Sequence, residues 1–141
     1  MTVVVPLKIP LFPQEALTEL SELLMPKKLQ PLAITLHRLL MKKREIHLLE
    51  LIELAIYLSG DKELEEELKE LVEGGTNVRD ILQRLNVKSA ENGSNFNEKW
   101  LEVKKVVERF AEIQLVEVND SWITYTPEKT RKLFMMIAEL I

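Results

Sequence analysis

Few residues in this chain are of a type that could do chemistry, and their spacing narrows the choice further. The two histidines, His37 and His47, stand ten positions apart on segments of helical pattern, and neither falls in an HExxH arrangement. His47 and Glu50 lie three apart and can share a helix face. A carboxylate-bridged metal centre needs further ligands from other helices, so both histidines are read as structural. The acidic run Glu63, Glu65, Glu66, Glu67 and Glu70 is read as a solvated helix face, because acid-base work needs a carboxylate held in an apolar pocket. There is no cysteine, which removes disulfides, thiolate zinc sites and thiol nucleophiles. With no glycine-rich phosphate loop and no G-x-S-x-G, the expectation is a chain without enzymatic activity, metal or cofactor.

Binding chemistry has more to draw on. Asn92, Ser94, Asn95, Asn97 and Lys99 crowd one polar break. Asparagine can bond the edge of adenine through two hydrogen bonds, and hydroxyls and helix N-termini suit phosphates. Two basic clusters stand elsewhere, Arg38 with Lys42, Lys43 and Arg44, and Lys129 with Arg131 and Lys132. Both are read as solvated helix ends, where cations are common.

The elements that must position these groups are legible from periodicity. Thr76 follows two glycines and is read as an N-cap. Val78, Ile81, Leu82 and Leu85 then recur at helical spacing as far as about Asn86. After the polar break, Asn95 with Glu98 has capping-box spacing and a second helix starts near Phe96. Its inward face is expected to be Trp100, Val103, Val107 and Phe110, with Val106 and Ala111 on the flanks. Past Ile113 the period switches to alternation. Leu115, Val116 and Val118 face Trp122, Ile123 and Tyr125 across Asn119, Asp120 and Ser121, which reads as a β-hairpin. Thr126 as N-cap and Pro127 at the first helical position open a last helix.

Upstream, Thr2 to Val5 reads as a short strand and Pro6, Pro10 and Pro13 keep the chain extended. A helix is expected over 14–25, with Ala16, Leu17, Leu20, Leu23 and Leu24 inward, followed by a connector from Pro26 to Pro31. From Leu32 to Leu58 no Gly or Pro occurs for 27 residues, and a break is expected around Lys42 to Glu45. The part from Glu45 to Leu58 is apolar on almost every side, as in a helix surrounded by others or pressed into a partner. Lys62 to Glu73 reads as an acidic helix with Leu64, Leu68, Leu71 and Val72 inward.

Helix, loop, amphipathic helix and hairpin, in that order over 76–141, resemble the helix-turn-helix and wing of the winged-helix superfamily. The fold class expected is mainly α with a small β-hairpin: a winged-helix module with an N-terminal helical extension, in one domain spanning 1–141. The resemblance implies DNA binding and transcription regulation. On that reading Asn92, Ser94, Asn95, Asn97, Lys99 and Lys105 of the helix region, with Asn119 and Trp122 of the wing, are the DNA-contacting residues. A homodimer through the helices of 1–75 would compensate for a weakly charged reading head by pairing two half-sites. That weakness is visible in the second helix, whose outermost residues are expected to be Glu98, Leu101, Glu102, Lys105, Glu108, Arg109 and Glu112, four acids against two bases. The alternative is a non-catalytic interaction subunit docking a larger nucleic-acid machine.

Composition sets the outer bounds. With 46% hydrophobic content over 141 residues, the chain can bury a sizeable core. Residues 1–75 hold 9 Lys and Arg against 13 Asp and Glu, while 76–141 hold 10 of each, so no half is basic in the way a dedicated nucleic-acid binder is. Abundant Glu, Lys, Leu and Ile with four glycines give a thermophile-like balance. The first residues lack the features of a signal peptide, and no apolar run is long enough to span a membrane, so a soluble cytoplasmic protein is expected.

Overall fold

The computed structural model describes residues 25–140. The strand expected over 2–5 and most of the helix expected over 14–25 lie outside these residues. Within them the order is a 3-10 turn Lys27–Leu29, α1 (Gln30–Lys43), β1 (Glu45–His47), α2 (Leu48–Ser59), α3 (Lys62–Glu73), α4 (Val78–Asn92), α5 (Phe96–Glu112), β2 (Val116–Asn119), β3 (Trp122–Tyr125) and α6 (Pro127–Leu140). The chain is mainly helical with a small antiparallel sheet in the order β1-β3-β2.

Local chemistry accounts for most of the boundaries. Pro31 sits in the first turn of α1, where its missing N–H would have had no helical partner, so the expected connector is already helix there. The expected break after Lys43 is made by Arg44, at φ 69, whose N–H returns to the Leu40 carbonyl at 2.8 Å. The next residues depart from the helix expected over Glu45 to Leu58, because Glu45–His47 is a strand. The pairing partner for these three residues lies nearly eighty positions away. The Tyr125 N–H donates to the Arg44 carbonyl at 2.8 Å and the Leu48 N–H to the Ser121 carbonyl at 2.7 Å.

His47 then caps α2. Its Nδ1 accepts from the Leu49 N–H at 3.0 Å while the Glu50 carboxylate accepts from its backbone N–H at 2.8 Å. The apolar girdle of α2 resolves into one buried face, Leu51, Ile52, Ala55 and Ile56, with Tyr57 80% exposed on the other side. Asp61 caps α3 through Glu63 and Leu64, and Leu64, Leu68 and Leu71 go inward, whereas Val72 lies outside the buried arc and is 44% exposed.

Four further expectations are corrected. Asn77, and not Thr76, caps α4 by accepting from the Asp80 N–H at 2.9 Å. That helix runs on to Asn92 instead of stopping at Asn86. Ser89 carries the core face one turn further because its hydroxyl is satisfied by the Asn86 carbonyl at 3.0 Å. On α5 the buried line is Phe96, Trp100, Val103, Val106 and Phe110, with Val107 on the flank. The hairpin forms as expected, but its turn is the pair Asp120 and Ser121, with Asp120 at φ 53. Thr126 precedes α6 and its hydroxyl donates to the Gln114 carbonyl at 2.8 Å.

The residues cluster into two compact units, each drawing on both halves of the sequence. The described residues of one are 25–45, 106–118 and 124–140, and its core holds Leu36, His37, Leu40, Phe110, Leu115 and Tyr125. The other comprises Ile46–Lys105 and Asn119–Ile123. In it α2 packs on α3 and both pack on α4, around Ile52, Leu64, Ile81, Leu85 and Phe96.

Candidate functional site

All eight residues expected to contact DNA fall in the second unit. Its local structure explains their placement. Gly93, at φ 66, ends α4, and the Ser94 N–H closes back on the Ser89 carbonyl at 3.0 Å. The Ser94 hydroxyl accepts from the Phe96 N–H at 3.4 Å and the Asn95 carbonyl from the Lys99 N–H at 3.0 Å, so the polar break becomes the start of α5. Phe96, fully buried, anchors that start.

The side chains around it are only partly available. Asn95 and Asn97 are exposed. Asn92 donates to the Asp61 carboxylate at 3.2 Å, tying the end of α4 to the cap of α3. Lys99 pairs with Glu102 one turn on at 3.6 Å, which weakens its pull on an anion at the asparagine cluster. Lys105 is exposed further along the helix. Asn119 is exposed in the hairpin, and Trp122, 46% exposed, stands edge-on to His47 with ring centroids 4.8 Å apart. The loop group and the hairpin pair therefore have separate anchors, Asp61 for one and His47 for the other. Asp61→Ala is expected to lower stability by about 1 kcal/mol through the lost cap, while Asn92→Ala stays within about 0.5 kcal/mol, both read from urea unfolding.

Charge separates along the units, which a cut at residue 75 conceals. The second unit holds eight Lys and Arg against fourteen Asp and Glu, a balance of −6. The described residues of the first unit hold ten against six, a balance of +4. The excess is concentrated: from Met25 to Arg44 there are six cations, Lys27, Lys28, Arg38, Lys42, Lys43 and Arg44, and no acid. All six are exposed, and Thr35, Arg38 and Lys42 form one outward ridge of α1. A helix dipole favours cations at Lys42 and Lys43 but disfavours them at Lys27 and Lys28, on the N-terminal side, so helix-end electrostatics does not account for the set. Sequence reasoning found Arg38, Lys42, Lys43 and Arg44 but took them for a helix end; it missed Lys27 and Lys28, and the absence of any carboxylate over 25–44 was the signal available.

Two other places hold polar groups. A shallow cleft of about 610 Å³ on α3 and α4 is lined by Glu67, Asp80, Glu91, Arg84 and Lys88 with Gln83 and Val87. Lys88 and Glu67 pair across it at 3.8 Å. In the first unit His37 is 1% exposed, bonded through Nε2 to the Tyr125 hydroxyl at 2.9 Å and flanked edge-on by Phe110 and Tyr125. Burial pushes its pKa down from 6.5 to about 4, so it is a neutral core residue at neutral pH. No group of three or more metal-ligating side chains occurs among the described residues. None of their helices is long and apolar enough to cross a membrane. Comparison with known proteins returns no matching family model, no matching curated protein and no matching solved structure.

Proposed function

We propose that this chain is a non-catalytic DNA-binding protein of winged-helix type, a transcriptional regulator acting as a dimer, which holds the duplex mainly by its phosphates through the basic unit. One observation carries this reading: six exposed cations and no acid between Met25 and Arg44. Phosphate neutralisation supplies most sequence-independent affinity for DNA, and it needs a local excess of cations. The strand order β1-β3-β2 supports the winged-helix part, because a hairpin is marginal alone and a third strand gives it an attachment. The acidic surface of α5 argues for a shift of emphasis from base reading by that helix to backbone contact by α1.

The test is binding to a mixed-sequence duplex at about 50 mM salt followed by a salt titration. Contacts to four or five phosphates give a log–log slope of about −4. Arg38→Glu with Lys42→Glu should weaken binding at least tenfold and flatten that slope, whereas Asn97→Ala should change it little. A wild-type protein that leaves the duplex unbound at low salt would defeat the DNA reading. The second reading, a subunit that docks a nucleic-acid machine through a basic partner, is favoured by the −6 balance of the other unit and by the exposure there of Tyr57 and Leu101.

A further inference from the structure

The last helix carries an apolar surface on the side facing away from its own core. Pro127 and Thr130 are buried and Phe134 half-buried along one line of α6. At about 100° per residue, Lys132, Met135, Met136 and Glu139 fall on the opposite line. All four are exposed, Met135 by 41% and Met136 by 62%, and Leu140 at the edge of that line by 86%. Among the described residues nothing buries these two Met side chains, and contiguous exposed apolar side chains mark interaction surfaces.

The order of the stripe identifies the occupant. Read along the helix it is cation, methionine, methionine, anion, at positions i, i+3, i+4 and i+7. A two-fold axis between Met135 and Met136 would bring an antiparallel copy so that Met135 meets Met136 of the other copy. Lys132 then meets Glu139 twice, once on each side of the axis. An isologous interface requires this kind of self-complementarity, in which residue i meets j and j meets i. A foreign helix would need the same pattern by coincidence.

We infer that α6 is a homodimerisation surface, pairing antiparallel with α6 of a second copy through Lys132, Met135, Met136 and Glu139. The inference deepens the dimer part of the proposed function and stands apart from its DNA part: it places the self-contact on the last helix, where the sequence pointed to the helices of 1–75. The stripe with Leu140 can bury on the order of 300 Å² per copy, well under a standard interface, so the pair should be weak and its association should depend on concentration.

Light scattering over concentration tests it. The mass should rise from the 16.4 kDa of one chain towards twice that value. Lys132→Glu alone and Glu139→Lys alone should each raise the dissociation constant at least tenfold. The double exchange, which restores the pairing with signs reversed, should return it to within about threefold of wild type. Both positions are exposed, so unchanged far-ultraviolet circular dichroism is the expected control. Because the chain has no cysteine, Met136→Cys supplies a second readout: mild oxidation should give a covalent dimer, whereas Lys69→Cys, at an exposed position of the other unit, should not. A mass that stays at one chain to several hundred micromolar overturns the proposal. So does a dimer indifferent to both single reversals. A Met136→Cys variant whose thiol is shielded from reagents in a monomer also overturns it, and would assign the face to the chain's own residues 14–24.

Discussion

Phe110→Ala is expected to destabilise the protein by about 3–5 kcal/mol, the cost of removing a buried aromatic and leaving a cavity. Phe110 is fully buried and its ring meets that of His37 edge-on, with centroids 5.9 Å apart. A domain of this kind has about 5–15 kcal/mol of stability in all, so this one change would remove about a fifth of it or more. Urea unfolding should show a midpoint lowered at unchanged slope, with Phe110→Leu costing under about 1.5 kcal/mol because most of the volume is retained. A loss below about 1 kcal/mol for the alanine variant would mean that the first unit tolerates a void at its centre, contrary to the close packing of a native core.

The second large effect is on acid stability. In the unfolded chain His37 takes up its proton as pH falls through 6.5, whereas burial holds that event in the folded protein down to about 4. Above pH 6.5 both states carry the neutral ring and the group has no influence on folding. Between 6.5 and 4 the unfolded state binds the extra proton, so stability falls as pH falls, by about 3 kcal/mol in total from this one residue. Carboxylates titrate in the lower part of the same window, so the measurement is a difference. His37→Gln keeps a polar partner for the Tyr125 hydroxyl and cannot be protonated. Its unfolding free energy should lose less than wild type between about pH 7 and pH 4, the gap approaching about 3 kcal/mol, and parallel curves would remove the assignment. Phe110 and His37 touch, so their effects are not expected to add.

Much of the framework was legible because it rests on neighbours in sequence. The bounds of α3 follow from Asp61 as cap and the glycines after Glu73. The start of α5 follows from a turn-rich cluster meeting a helical stripe. The switch past Ile113 from a three-to-four-residue period to alternation marks the hairpin, because only extended chain sends successive side chains to opposite faces. Expectations failed where a distant partner chose between local options. Val106 and Val107 are both compatible with the stripe of α5, and the buried one is set by the direction from which the rest of its unit packs. Ser89 looked like the onset of a loop, yet a hydroxyl that bonds its own helix can occupy a core position.

What the sequence by itself determined is therefore the identity of most elements and the structural character of its two histidines, since each depends on residue type and short spacing. Tertiary structure alone decided that Glu45–His47 is a strand, because three residues cannot hold extended backbone without the hydrogen bonds of β3. It also decided the distribution of charge. Cut at residue 75 the halves stand at −4 and zero, but regrouped by the packing of non-consecutive segments the described residues of one unit are at +4 and the other unit is at −6. Electrostatic potential follows proximity in space, and chain order carries that information only where folding keeps neighbours together.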